Sequence, residues 1–277
     1  MSIKSDVFDD YYYSHVCLGS EEFKKSNGLS LNPKVKNMLD KLRLTSNMNV
    51  LEIGCGRGDS AIYMARKVKS VTAIDYSKSA IKIANKIKSI SDKKTKEKIN
   101  FYVMEASKLT FESNKFDMVI MVDTIDHFNK KELNKVMSEI RRVLKPGGKL
   151  FVKTCANKIL LDKTYKYYIY PLNRLITYLD MKIKNTKYNS LPRFSRTKEA
   201  KEQHVNEMDY FYLRNLMSKF GFSGKIWSEV GFLTEEKSIR SKIYNFVVTF
   251  DPLSYHFPLN IFFAHSFFVL AVKRNTT

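Results

Sequence analysis

The run Val50-Leu51-Glu52-Ile53-Gly54-Cys55-Gly56-Arg57-Gly58-Asp59 takes an apolar segment into three alternate glycines and then into a polar helix start. Glycines there permit positive φ and let a ligand approach the backbone with no Cβ in the way. The spacing is G-x-G-x-G, whereas seating a dinucleotide pyrophosphate on the helix needs G-x-G-x-x-G. A nucleoside-type cofactor without a pyrophosphate is therefore favoured. Asp75, which closes Val71-Thr72-Ala73-Ile74-Asp75, lies about 20 residues beyond the turn, where a carboxylate accepts from both ribose hydroxyls. Glu105 in Met104-Glu105-Ala106 is placed to accept from an adenine amino group. Asp123, at the end of Phe116-Asp117-Met118-Val119-Ile120-Met121-Val122-Asp123, is delivered to the same edge.

These residues need a parallel sheet to bring them together. Short apolar runs at Asn49–Ile53, Val71–Ile74, Ile99–Met104, Phe116–Val122 and Lys149–Lys153 read as strands. Between them Ser60–Val68, Lys78–Ile90 and Lys131–Leu144 carry apolar residues at helical spacing, as in Leu133, Val136, Met137, Ile140, Val143 and Leu144. Such alternation specifies βαβ units. Lys145-Pro146-Gly147-Gly148 stops the helix and turns the chain into the next strand. Beyond it Asn157–Gln203 is basic and tyrosine-rich with no clear strand. A helix over Met208–Phe220 and strands over Lys225–Val230 and Phe267–Lys273 complete the pattern, and Gly231–Asn260 is an insertion without a readable element.

From Asn49 to Val152 the landmarks, the Arg141-Arg142-Val143-Leu144-Lys145-Pro146-Gly147-Gly148 run above all, resemble the class I S-adenosylmethionine-dependent methyltransferases. The resemblance implies a doubly wound, Rossmann-like α/β fold of seven strands, the last antiparallel, with S-adenosylmethionine along the carboxyl edge. Carried over by position, it implies that Glu52, Gly54, Cys55, Gly56 and Gly58 face the methionine end, Asp75 the ribose and Glu105 the adenine. Tyr76, Ala106 and Asp123 complete the expected cofactor contacts. One domain is expected over the 277 residues, with a core at about 48–154 and 205–273, a helical lid at about 157–204 and an amino-terminal cover at about 8–46.

Methyl transfer to a hydroxyl needs an in-line nucleophile and a proton acceptor. Two histidines are the candidates. His127, in Asp123-Thr124-Ile125-Asp126-His127-Phe128, follows the fourth strand, where small-molecule members of the family have an acid-His pair. His204, in Gln203-His204-Val205-Asn206-Glu207, precedes a helix and is positioned to fold over the pocket from the lid. Either can instead be a packing or surface histidine. A further resemblance, carried by Thr154-Cys155-Ala156-Asn157, Leu191-Pro192-Arg193, His204-Val205-Asn206-Glu207 and the Tyr11-Tyr12-Tyr13 and Gly19–Gly28 region, is to bacterial methyltransferases of glycan and secondary-metabolite pathways. Lys153 stands where that group has His. The expected reaction is methylation of a small molecule or glycan precursor, at oxygen.

The formal charge is +20. That favours polyanions, or reflects only a Lys-, Asn-, Ile- and Tyr-rich composition. An RNA or nucleic-acid methyltransferase would use the basic insert, with Tyr165, Tyr167 and Tyr168 to stack bases. Against it, Asp123-Thr124-Ile125-Asp126 is not the N/D-P-P-aromatic motif, and Thr154-Cys155 lacks the Pro-Cys partner of cytosine-5 enzymes. The alternation of apolar residues with Lys and Arg over Tyr165–Met181 suits an interfacial helix, or a lid helix that packs on the core. A non-catalytic methyltransferase-like subunit is the remaining alternative. Cys17, Cys55 and Cys155 are too widely spaced for a zinc site or a disulfide framework, so no metal is expected. The first residues carry no signal-like apolar run and no segment has the ~20 apolar residues of a membrane span, so a cytoplasmic location is expected.

Overall fold

The computed structural model describes residues 9, 11–17, 19–155, 157–184, 192–197, 201–202, 204–230 and 239–274. It is an α/β fold around a seven-stranded mixed sheet of order β3-β2-β1-β4-β5-β7-β6, with β7 antiparallel. The strands are β1 (Asn49–Ile53), β2 (Ser70–Asp75), β3 (Ile99–Val103), β4 (Phe116–Val122), β5 (Leu144–Cys155), β6 (Phe222–Val230) and β7 (Ala264–Lys273). Glu52 pairs with Ala73 on one side and Ile120 on the other, in parallel ladders. Val50 to Ile53 and Met118 to Met121 are buried, as central parallel strands covered on both faces require. The strand order reverses between β1 and β4. The carboxyl ends of those two strands are therefore the switch point at which open α/β sheets bind ligands.

Helices α1 (Ser20–Ser26), α2 (Pro33–Asp40), α3 (Asp59–Ala65), α4 (Lys78–Ile90), α5 (Lys93–Lys98) and α6 (Lys130–Val143) precede β5. The Ser77 side chain caps α4 by accepting from the Ala80 N–H, and Ala80, Ile81, Ala84 and Ile87 make its buried stripe. Asn129 caps α6 in the same way through the Lys131 and Glu132 N–H groups. Helix α6 gives way at Leu144 directly to β5, which is longer than the expected Lys149–Lys153 because Lys145 to Gly148 turn within the extended segment.

The chain divides into two compact units. The first comprises Met1–Val152, Met217–Lys225 and Leu270–Thr277, the second Lys153–Leu216 and Ile226–Val269. In the first, Arg141 donates to the Phe220 and Gly221 carbonyls, tying α6 to the start of β6. In the second, the basic stretch is helical: a π-helical segment at Leu160–Ile169 continues into α7 (Tyr170–Lys184). Helix α8 (Tyr210–Lys219) precedes β6, the insertion without a readable element contains α9 (Ile239–Thr249), and α10 (Leu259–Phe263) begins at its end. Leu160, Ile169, Val248 and Phe263 form the core of this unit, with Leu172, Ile176 and Tyr244 packed against it. The polar bonds are internal too, with Tyr168 donating to the Val247 carbonyl at 2.8 Å and Asn157 Nδ2 to that of Ile261 at 2.8 Å. The sequence readings at residues 1–6, Ala156, Leu191, Gln203 and 231–238 lie outside the described residues.

Candidate functional site

The site is built in the first unit from the ends of β1, β2 and β4. The glycine turn leaves β1 with Gly54, Gly56 and Gly58 all at positive φ. It is held to the neighbouring strand, because the Gly54 and Cys55 N–H groups both donate to the Ile74 carbonyl, at 2.8 and 3.0 Å. A Cβ at Gly54 would run into the Thr124 side chain, and one at Gly58 would lie within 2.8 Å of both Ala84 and Phe101. At Gly54 and Gly58 this cradle has no room for a Cβ unless a neighbour shifts.

Asp75 is nearly buried, and its two oxygens are oriented by backbone donors: Oδ2 by the Gly56 N–H and Oδ1 by the Ser77 N–H, each at 2.9 Å. Burial raises its pKa, while these N–H groups and the nearby His127 favour the carboxylate. A carboxylate offers about four acceptor positions, so with backbone donors from Gly56, Ser77 and Tyr76 it keeps capacity for a further donor. Glu52 is buried at the end of β1. One of its oxygens accepts from the Ser60 hydroxyl, and the other, Oε2, has no hydrogen-bond partner among the described residues. Burial pushes its carboxyl up to about 8. A buried carboxyl of this kind awaits a donor, and a ligand ammonium is the group that would restore its charge. Cradle, paired-acceptor carboxylate and waiting carboxyl together fit S-adenosylmethionine, whose ribose would fall to Asp75 and whose methionine end to Glu52.

Tyr76 is half-buried beside Asp75, Ala106 is buried and Glu105 is exposed just past β3. Asp123 closes β4 with φ of +50°, a left-handed conformation that aspartate tolerates better than most residues. It leads into the single 3₁₀ turn Ile125–His127, in which Asp126 is fully buried and His127 half-buried. His127 therefore stands at the switch point beside the glycine turn. His204 is half-buried in the second unit and is described with that unit alone.

Three residues outside the expected cofactor and catalytic sets also build the site. Arg57, between two of the glycines, is almost wholly buried. It donates to the Tyr13 carbonyl at 3.0 Å, pairs with Asp59 at 3.2 Å and lies 4.3 Å from the Phe23 ring centroid. Tyr13 is buried, with its ring 3.3 Å from where a Gly56 Cβ would stand, so the turn Tyr12–Val16 covers the glycines. Thr124 fills the space that Gly54 leaves. The tyrosine run gave a signal for the cover. Nothing in the spacing pointed to Arg57, since its partner carbonyl is 44 residues away.

Residues 50–148 match the family model described as "Methyltransferase domain". The chain is 27% identical over 178 residues to the sterol 4-C-methyltransferase of Caenorhabditis elegans, covering 63% of this chain and 51% of that protein. It is 32% identical over 126 residues to the ubiquinone biosynthesis O-methyltransferase of Pelagibacter ubique, covering 46% of this chain and 47% of that one. The match thus spans about half the length of each of these curated relatives. A solved structure from Methanosarcina mazei, described as an S-adenosylmethionine-dependent methyltransferase, superposes with a TM-score of 0.54 at 22% identity, over 90% of this chain and all of that one.

Proposed function

We propose, from the premise that residues 50–148 are a class I S-adenosylmethionine-dependent methyltransferase domain, that this protein methylates a small organic molecule, at oxygen. The observation that carries the reading is Asp75, nearly buried and oriented by backbone donors beside a glycine cradle. The two curated relatives bear names that describe small-molecule methylation, one at carbon and one at oxygen. The preference for oxygen comes from His127, a group able to take a hydroxyl proton at the switch point.

Bound S-adenosylmethionine supplies a sulfonium-activated methyl group. The residues of this chain do the rest by binding and orientation, which contribute most of the rate in such a transfer. Asp75 holds the ribose, and the glycine turn admits the methionine portion against the backbone. Glu52 meets the amino group, and His127 receives the acceptor's proton. His204 is the second candidate for that proton.

His127→Ala is expected to lower turnover by roughly 10²–10⁴-fold, the range for a positioned base, with cofactor affinity nearly unchanged. The readout is transfer of label from methyl-labelled S-adenosylmethionine into a cell extract, separated into polymeric, lipid and small polar fractions after nuclease digestion. Label confined to nuclease-sensitive polymer would overturn the small-molecule reading. Full turnover in both His127→Ala and His204→Ala would remove both histidines from the role of base.

Glu52 gives an independent check by proton counting. At pH 7 a carboxyl with a pKa of about 8 is mostly protonated. An ammonium placed beside it favours the carboxylate, so cofactor binding expels the proton. Calorimetry in two buffers of different ionisation heat should show about one proton released by the wild type and almost none by Glu52→Gln. Equal release by the two would remove Glu52 from the methionine end.

A further inference from the structure

Helices α7 and α9 pack on one core and each turns a second apolar face outward. On α7, Leu172 and Ile176 pack on that core, while Leu175, Leu179 and Ile183, spaced four apart, are exposed, Ile183 by 81%. On α9, Val248 is buried and Tyr244 packs beside it, while Ile239, Ile243 and Phe246 are exposed, Ile239 by 77% and Ile243 by 60%. Asn173 on α7 donates to the Tyr244 hydroxyl on α9, so the two helices form one substructure of the second unit. Single exposed leucines are ordinary on protein surfaces. Two helices that each expose a row of large aliphatic side chains mark an interaction surface.

Charge identifies the occupant. Helices α7 and α9 expose Arg174, Lys182 and Lys242 and contain Asp180 as their one acid, in a chain of net charge +20. A second copy of the chain seated on this surface would set like charges against each other. An anionic lipid surface accepts both the cations and the aliphatic rows, since aliphatic side chains enter the boundary between headgroups and acyl chains while lysines and arginines meet the phosphates. Among the described residues no helix is long and apolar enough to cross a membrane, so the contact is interfacial. We propose that α7 and α9 dock the protein onto anionic membranes. This does not rest on the methyl-transfer reading and can fail while that reading stands.

The test is co-sedimentation of the full chain with vesicles of phosphatidylcholine alone and of phosphatidylcholine mixed with phosphatidylglycerol. Binding to the mixed vesicles should be at least about tenfold stronger and should weaken with added salt. The double variant Ile183→Asp, Ile243→Asp should lose that binding. Its circular dichroism and melting temperature should match the wild type, because both positions are exposed. Absence of binding to the anionic vesicles, or undiminished binding by a folded double variant, overturns the proposal. So does a stable dimer in light scattering that the double variant dissociates, which would assign the surface to a second copy.

Discussion

Asp75→Ala is expected to weaken S-adenosylmethionine binding severely in an otherwise folded protein. Both carboxylate oxygens are oriented by backbone donors, from Gly56 inside the glycine turn and from Ser77 at the cap of α4. Hydrogen bonds to a charged acceptor are worth about 1.5–3 kcal/mol each, so losing two to a ribose diol lowers affinity by roughly 10²–10⁴-fold. The substitution also leaves two N–H groups without their acceptor, at a cost of about 1–3 kcal/mol each where water cannot reach them. Relief of the desolvated carboxylate offsets part of that cost, since burial already opposes its charged form. A moderately lowered melting temperature with binding lost in equilibrium dialysis is the expected pair of results. Asp75→Asn, which keeps one acceptor oxygen, should fall between. Wild-type affinity in a folded Asp75→Ala protein would remove Asp75 from the ribose.

Gly54→Ala has the second large effect, and it acts on folding and binding together. Gly54 sits at φ +74°, where a side chain costs about 1–2 kcal/mol. Its Cβ would collide with Thr124, whose hydroxyl is held by the Val122 carbonyl at 2.9 Å and does not swing away freely. Forcing a methyl into such a packed site typically costs a further 1–3 kcal/mol or so. The variant should therefore be destabilised by roughly 2–5 kcal/mol in denaturant unfolding. Adding Thr124→Gly removes the collision and leaves the backbone strain, so the double variant should regain part of the stability. If the double variant is no more stable than Gly54→Ala, the cost lies outside this contact.

The sheet and the strand ends that frame the candidate site were legible in the residues because local chemistry and tertiary need agree there. Strand β1 at Asn49–Ile53, β4 at Phe116–Val122 and α4 at Lys78–Ile90 coincide with their expected bounds. Their signals are apolar runs against glycine and a serine cap against helical spacing, both short in range. The expected cofactor residues Glu52 to Gly58 and Asp75 meet because β1 and β2 are adjacent and in register, which βαβ alternation dictates. What stayed hidden depends on contacts remote in sequence. Arg57 reads as a solvated loop cation until Tyr13 and Phe23 close over it. Gly224 falls outside the expected strand Lys225–Val230, yet it lies within β6 and a Cβ there would strike the β7 backbone at Ala271. The Gly231–Asn260 insertion resisted reading because α9 and α10 lack a single apolar stripe. With Ile243, Phe246 and Val247 exposed and Val248 buried, apolar side chains surround α9 and periodicity has nothing to detect.

The position of Arg57 links two parts of the molecule that arise far apart in the chain. One side chain lies within the cofactor cradle and also holds the carbonyl of the covering turn, Asp59 at the head of α3 and the ring of Phe23 on α1. A change at 57 therefore disturbs the cover as well as the cradle, and a change at 13, 23 or 59 is felt in the glycines. Mechanically these four positions form one latch: an amino-terminal segment placed on a chain with a different residue at 57 would have nothing in the glycine turn to hold it.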